Sequence, residues 1–485
     1  MKPEAALLLV CLWAANCQVH GLAAPSTKAS FQRSTATVIR GTSRSPLGSS
    51  HLLHVDTFDQ RHTLRLQPAA APFADTFRLQ TTARDEEGRL IFKDVSYDED
   101  HDASELYQDP ESGGVVRVSD TRVEGIISST LTLTADADGQ HEAVRQEIVP
   151  EFNVNDELEV PSEERLSFES SATTRAVSSV TVEMYVIVDS TLAASVGTDQ
   201  KVKDYLAVFW NAVNMRYATF SDPKIQLVLA GALIVRDAAD EPYVTSNIAS
   251  SIYVNGYGAL EAVSKWLYQQ KTKLPNYDMA YLMTGKDMFS PDGGSTSLAG
   301  LAYREAACVV GGTMMYKTGM GEDNSYYGGV MTAAHEVAHN LGSPHDGSDG
   351  SEACSWNLGY IMSYLTVDSK KLLFSSCSQA AMKKYISTSS ASCLQSTPTG
   401  ATIPLSNTLP GQILSLDKQC QIATNKTDAY ASKSVSEDSL CYKLVCQWKV
   451  QEGYTTWTYT QTTGGPAAEG SPCKSGGACK DGSCQ

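Results

Sequence analysis

The stretch His335-Glu336-Val337-Ala338-His339-Asn340-Leu341-Gly342-Ser343-Pro344-His345-Asp346 constrains this chain more than any other. On a helix, residues four apart project from one face, so His335 and His339 can share a metal ion. Glu336 stands beside the first ligand, where its carboxylate can reach a water on that metal. Gly342 is where the helix must stop, because a residue without Cβ can turn the chain through φ > 0. That turn returns His345 as a third nitrogen ligand and leaves the fourth tetrahedral position open to water. Three protein ligands with an open position are the pattern of a catalytic zinc, whereas structural zinc is normally closed by four. The competing reading is an amphipathic helix whose histidines fill a solvated face. Against it, the chain has nine histidines, and every one beyond His141 falls inside this pattern.

Length and charge narrow the rest. A chain of 485 residues exceeds one ordinary core, so about two to four folded units are expected. An apolar fraction of 42% argues against global disorder. The formal net charge of −17 argues against nucleic-acid binding, which rests on clustered Lys and Arg. Lys2 precedes an apolar run from Ala5 to Ala15, followed by the small residues Ala23 and Ala24. This is the layout of a secretory signal peptide over residues 1–23, too short to span a bilayer. No later stretch is apolar for long enough to anchor the chain, so a secreted, extracellular product without a membrane anchor is expected. Of twelve cysteines, Cys11 and Cys17 belong to the leader. The rest form an even set, as disulfides in an oxidising compartment would. None of these precedes Cys308, and six lie after residue 400.

Taken in order, residues 24–175 carry no cysteine and much charge. The alternation in His62-Thr63-Leu64-Arg65-Leu66 and Thr130-Leu131-Thr132-Leu133 reads as half-buried strands. Asp98, Glu99, Asp100, Asp102 and Glu105 read as a solvated loop. The Ser/Thr/Ala-rich stretch from Ser170 to Ser179 reads as an exposed linker, with Arg175 as a cleavage point. Residues 176–397 then alternate between strand and helix patterns. Strands are expected over Thr181 to Val188, Ile225 to Val235 and Tyr277 to Thr284. Helices are expected over Lys201 to Tyr217, Gly258 to Lys273 and about Val330 to Leu341. Such alternation implies a mostly parallel sheet covered by helices. Ser297 to Tyr303 reads as an edge strand. Cys308, Cys354, Cys377 and Cys393 allow three pairings, and spacing does not choose among them. Asn425-Lys426-Thr427 is an N-glycosylation acceptor. Residues 398–485 are short and hold six cysteines, so bridges must replace the missing core.

The extended histidine motif, the Asp346 that follows it and the Tyr360-Ile361-Met362-Ser363 segment resemble a metzincin metalloprotease. More specifically, the chain resembles a reprolysin (adamalysin) of the ADAM/ADAMTS type, over most of its length. The resemblance implies an α/β (α+β) metzincin catalytic domain with a mixed, mostly parallel sheet and an active-site helix, over 176–397. A β-rich pro-domain at 24–175 would precede it, assisting folding and blocking the cleft; His51 to Leu66 resembles the early part of a reprolysin pro-peptide. A small disulfide-rich module at 398–485 would follow. The implied activity is that of a secreted zinc-dependent metalloendopeptidase hydrolysing peptide bonds of extracellular proteins. One Zn²⁺ per chain would be held by His335, His339 and His345, with Glu336 as general base. Met362 would lie beneath the three imidazoles. Gly300, Leu301 and Ala302 would border the cleft and pair with an extended substrate. The implied disulfides are Cys308–Cys393 and Cys354–Cys377. Secreted forms in arthropod saliva and venoms have a similar compact layout, which implies matrix or clotting proteins as substrates.

The chain also departs from its relatives. Many of them hold latency with a pro-domain cysteine on the zinc, and here no cysteine stands between residue 24 and Cys308. A thiolate latch is excluded by composition, which leaves steric filling or a carboxylate ligand. In relatives a Ca²⁺ site uses residues matching Glu183 and Asp278, but the matching position after the last cysteine of the domain is Ser396 rather than Asn or Asp. Tyr364, two residues after Met362, is similar to a tyrosine of the astacin and serralysin branches. It is expected to bind zinc or support the oxyanion. Leu416 to Cys420 and Glu469 to Cys473 resemble the disintegrin-like and cysteine-rich modules of ADAMTS enzymes. The absence of an Arg-Gly-Asp triplet favours substrate docking over integrin binding. A reading from another class stays open: a catalytically silent secreted binding protein that captures its target with the disulfide-rich end. The intact Glu336 argues for the enzyme.

Overall fold

Period-two alternation writes the N-terminal part as strands, and the computed structural model closes most of them into a barrel. Described are residues 29–45, 48–96, 105–136, 138–148, 155–165, 177–220, 222–291, 294–365, 369–395, 415–424 and most of 426–484. The leader, the acidic run at 98–102, Arg175, Ser396 and Asn425 lie outside them. Strands β1 (Ala29–Ser45), β2 (Gly48–Thr57) and β3 (Gln60–Pro68) come first. Then β4 (Phe73–Arg84) and β5 (Leu90–Asp94) turn away as a hairpin. Strands β6 (Glu105–Asp109), β7 (Gly114–Val118), β8 (Val123–Ser128), β9 (Leu131–Ala135) and β10 (His141–Ile148) return. Because β1 pairs with both β2 and β10, the barrel closes and has no free edge. Leu53, Val55, Leu64, Val116 and Leu133 fill it.

The second unit is a mixed sheet. Its elements are β11 (Glu157–Glu159), β12 (Ser179–Val188), α1 (Asp199–Tyr217), β13 (Lys224–Ile234), α2 (Gly256–Gln270), β14 (Met279–Thr284), β15 (Gly300–Arg304), β16 (Thr318–Glu322), α3 (Val330–Asn340) and α4 (Ser376–Ile386). The strand order is β11-β15-β16-β14-β12-β13-β4-β5. β12 runs parallel to β13 and to β14, β14 runs parallel to β16, and β15 is antiparallel to β16. Strands buried on both faces read as unbroken apolar runs, and β13, Lys-Ile-Gln-Leu-Val-Leu-Ala-Gly-Ala-Leu-Ile, is buried after its first residue. Successive side chains leave a strand on opposite faces. Met184 and Val186 of β12 therefore join Phe209, Trp210 and Val337 under α1 and α3. Tyr185 and Ile187 join Leu260, Leu267 and Leu282 on the α2 side.

One expectation needs correction. The Gly300 strand is not an edge: β11 lies parallel along it, pairing Glu157 with Ala302 and Glu159 with Arg304. On its other side the sheet runs on past β13 through β4 of the N-terminal hairpin. Both seams join segments far apart in the chain, and such pairing leaves no local mark in the sequence. The α2 helix starts two residues earlier than its pattern suggests, because the Asn255 side chain caps it by accepting from the Gly258 N–H at 3.2 Å.

The C-terminal unit has a short helix, α5 (Leu416–Thr424), and a hairpin of β17 (Val445–Glu452) and β18 (Thr455–Thr462). Disulfides Cys420–Cys446, Cys441–Cys479 and Cys473–Cys484 hold it. Its buried cluster is small and is built largely from those cysteines. Among the described residues no helix is long and apolar enough to cross a membrane.

Candidate metal centre

The α3 helix buries His335 (6% exposed) and His339 (0%) beneath the sheet. Gly342 follows it at φ 103°, and a Cβ there would stand 2.5 Å from the Cβ of Tyr385. Only glycine both fits that space and takes that dihedral, and the turn it allows brings His345 back to the helical pair. The His335 Nδ1 donates to the Ile361 carbonyl at 2.7 Å, and the His339 Nδ1 to the Ser343 carbonyl at 2.8 Å. A neutral imidazole that carries its proton on Nδ1 presents Nε2 as a lone pair. These Nε2 atoms converge: His335 to His339 is 3.0 Å and His335 to His345 is 3.2 Å. Lone pairs aimed at each other in a buried site repel unless a cation lies between them. Ligands about 2.0–2.1 Å from one tetrahedral zinc stand roughly 3.3 Å apart, so the donor set fits that ion.

Glu336 faces the same space and is 1% exposed, with Oε2 lacking any hydrogen-bond partner. Burial, and then the charge of Asp156, push its carboxyl well above the usual range. A Cβ on Gly300 would lie 2.3 Å from Glu336 Oε1, so this glycine is what leaves room for the carboxylate. Met362 is fully buried in the core cluster with Val337 and Leu341, and its carbonyl accepts from the Asp346 N–H at 2.9 Å. The Asp346 carboxylate also accepts from Ser375 and Ser378, at 2.5 and 3.1 Å, which pins the third-histidine loop to α4. The Tyr364 hydroxyl lies 3.2 Å from His345 Nε2. Trp356 packs edge-on against both rings, with centroids at 5.6 and 5.0 Å. Cys354 bonds Cys377 and Cys308 bonds Cys393.

The position expected to stand open to water is instead filled from the N-terminal side. Asp156 places its carboxylate 2.8 Å from His345 Nε2, 3.3 Å from His335 Nε2 and 3.5 Å from His339 Nε2. Together the four residues form one ligand cluster. Burial works to raise the Asp156 carboxyl, but the imidazoles packed around it, His335 foremost, outweigh burial and hold the group well below the usual range. Glu157 stands 3.2 Å from His339 Nδ1. Sequence reasoning did not single out Asp156, Glu157, Arg304 or Trp356. The one signal for the first was indirect, since a stretch without cysteine leaves a carboxylate as the anionic ligand it can offer.

Glu183 of β12 and Asp278, which directly precedes β14, are neighbours. The Glu183 N–H donates to Asp278 Oδ2 at 3.0 Å, and the Asp278 N–H returns to the Glu183 carbonyl at 2.7 Å. Burial raises Asp278 to about 6, and burial lowers the nearby Lys317 to about 8. Among the described residues no third His, Cys, Asp or Glu joins the pair in a ligand cluster.

Comparison with known proteins meets this geometry from another side. Residues 181–398 match the reprolysin (M12B) family zinc metalloprotease model, and residues 410–485 match the ADAMTS cysteine-rich domain 2 model. A Bombyx mori protein named "A disintegrin and metalloproteinase with thrombospondin motifs like" is 33% identical over 302 residues, covering 59% of this chain and 42% of that one. Venom metalloproteinase 3 of Eulophus pennicornis is 26% identical over 228 residues, covering 46% and 54%. A venom metalloproteinase antarease of Tityus serrulatus is 25% identical over 319 residues, covering 60% and 79%. The chain thus spans about half the length of the first of these relatives. Residues 181–398 belong to the reprolysin (M12B) metalloprotease family, and an ADAMTS-type cysteine-rich domain follows them.

Proposed function

We propose that this chain is a secreted zinc-dependent metalloendopeptidase acting on extracellular proteins, with residues 24–175 as its pro-domain. The observation that carries the reading is the convergence of three buried Nε2 atoms beside the unpartnered Glu336 Oε2. His335, His339 and His345 would hold one Zn²⁺. When bound, that ion supplies Lewis-acid polarisation of a scissile carbonyl and lowers the pKa of water to about 7. Glu336 accepts the proton of the attacking water at its carboxylate and returns it to the leaving amine. Gly300 keeps the space in which that carboxylate moves. The backbone of Gly300, Leu301 and Ala302 binds an extended peptide by main-chain pairing, in the way that Ala302 to Arg304 pair with β11. The Tyr364 hydroxyl supports charge developing on the carbonyl oxygen.

Venom relatives and the leader-like N-terminus support secretion, and Asn425 is the site proposed to carry a glycan. Matrix or clotting proteins are the proposed substrate class. A Ca²⁺ at Glu183 and Asp278 would appear as a rise in melting temperature on adding calcium. One observation favours the second reading, a silent binding protein: Trp457 (53%) and Tyr459 (43%) stand exposed on the C-terminal hairpin. A single experiment separates the two. The chain freed of residues 24–175 is incubated with a denatured protein, with and without 1,10-phenanthroline, beside Glu336→Ala. Cleavage that is lost in both controls supports the peptidase. Intact substrate in every arm leaves the binding reading.

A further inference from the structure

Asp156 is held at the metal centre by its whole neighbourhood. Before it, the Tyr257 hydroxyl donates to the Asn155 carbonyl. At Asp156 itself, the carbonyl accepts from the Ala302 N–H at 3.0 Å. Beyond it, Glu157 to Glu159 run in register with Ala302 to Arg304, and Val160 (3% exposed) is buried in the α2-side core. The Arg304 guanidinium gathers Glu157 at 3.2 Å, Asp349 at 2.9 Å, and Glu159. Asp349 lies in the loop just beyond His345, so Arg304 ties the N-terminal segment to both the strand and the ligand loop.

The carboxylate placed this way is 4% exposed, and its Oδ1 has no hydrogen-bond donor. His335 and His339 have committed their Nδ1 protons to backbone carbonyls and present lone pairs to it. A buried anion facing acceptor nitrogens is stable only with a cation among them. Three nitrogens and one carboxylate oxygen at these separations make a four-ligand set.

We infer that Asp156 is the fourth ligand of the metal in this form of the chain, and that residues 155–160 are a built-in latch which closes the centre and fills the substrate groove. The inference rests on the zinc peptidase reading above. A centre closed by four protein ligands has the character of a structural site and offers no place for the water that Glu336 would deprotonate. Because the carboxylate belongs to the same chain, its effective concentration at the metal is high, and diffusible ligands compete poorly. The carboxylate fills the role that a thiolate would need a cysteine to fill, and the N-terminal unit has none.

The test uses the full chain with cobalt(II) as the metal and acetohydroxamate as the probe. The visible bands of wild type should not respond to acetohydroxamate, whereas Asp156→Ala should bind it about 10²-fold more tightly or better. Asp156→Ala should also cleave a quenched peptide without removal of the N-terminal unit. Equal response in wild type and variant overturns the latch. If Asp156→Ala does not fold, the wild-type spectrum still decides, because bands that shift readily with acetohydroxamate exclude a closed four-ligand centre. Failure of the underlying reading looks different. Full-length Asp156→Ala would then bind acetohydroxamate yet hydrolyse no peptide, which sinks the peptidase and leaves the latch standing.

Discussion

Gly300→Ala is the sharpest probe of how the groove strand and the base share space. The new Cβ would stand 2.3 Å from Glu336 Oε1, 2.7 Å from Glu336 Cδ and 2.6 Å from Thr332 Cγ2, where ordinary contact begins near 3.4 Å. Relief therefore needs a shift of about 1 Å, and the end of the Glu336 side chain is the part freest to make it. Overpacking of this kind costs about 1–3 kcal/mol of stability, and here a flexible carboxylate absorbs much of it. A reacting group displaced by about 1 Å loses on the order of 10²-fold in rate. We expect kcat to fall about 10²-fold in the chain freed of its N-terminal unit, with zinc content unchanged and the melting temperature lowered by only a few degrees. The assay is quenched-peptide hydrolysis with metal analysis on the same samples. A kcat within about threefold of wild type would refute the reasoning, because it would mean Glu336 works from a position the structure does not give it.

Arg304→Ala removes the cation that holds Glu157, and both side chains are largely buried (19% and 12% exposed). A loss of about 1–2 kcal/mol from the latch should raise peptide cleavage by the uncut chain roughly tenfold, and unchanged latency would exclude Arg304 from the clamp. Tyr364→Phe should lower kcat about tenfold, as one lost hydrogen bond would; untouched turnover removes the hydroxyl from the reaction. Glu241 is raised to about 7 by burial and then by Asp189, while Ser190 donates to it through N–H and Oγ. A carboxyl whose folded pKa lies above its unfolded value favours folding at low pH, and ionisation takes that advantage away as pH rises from about 4.5 to 7. Urea unfolding should therefore show up to about 3 kcal/mol less stability at pH 8 than at pH 4.5 from this group. Glu241→Gln should flatten the difference, and an unchanged slope would place the effect elsewhere.

What the sequence reveals and what it hides follow from distance along the chain. The three histidines, Glu336 and the Gly342 turn lie within one helix and its exit, so their spacing alone predicts their convergence. The apolar runs of β12, β13 and β14 announce strands buried on both faces in the same way. Asp156 carries no such mark. It is one of 55 acidic residues, and only the pairing of Glu157 with Ala302 sets its carboxylate against the imidazoles. The barrel and the β4–β5 hairpin are equally silent, because alternation predicts a strand but not its partner. Gly300 is an intermediate case. Its strand is visible in the sequence, but the reason for a glycine appears only when Glu336 is seen across from it.

The seam between β13 and β4 carries a consequence for timing. Leu229 sits against Phe73 and Ile234 against Thr81, and the Thr81 hydroxyl donates to the Ile234 carbonyl at 3.1 Å. Cutting the polypeptide would not undo this ribbon, and stripping it would bare an adhesive, oil-rich border that β13 has no side chains to keep soluble. A nicked molecule should therefore linger with its severed front half still zipped on. Turnover would then rise only after that zipper opens, with a delay that adding more of the cutting protease does not shorten.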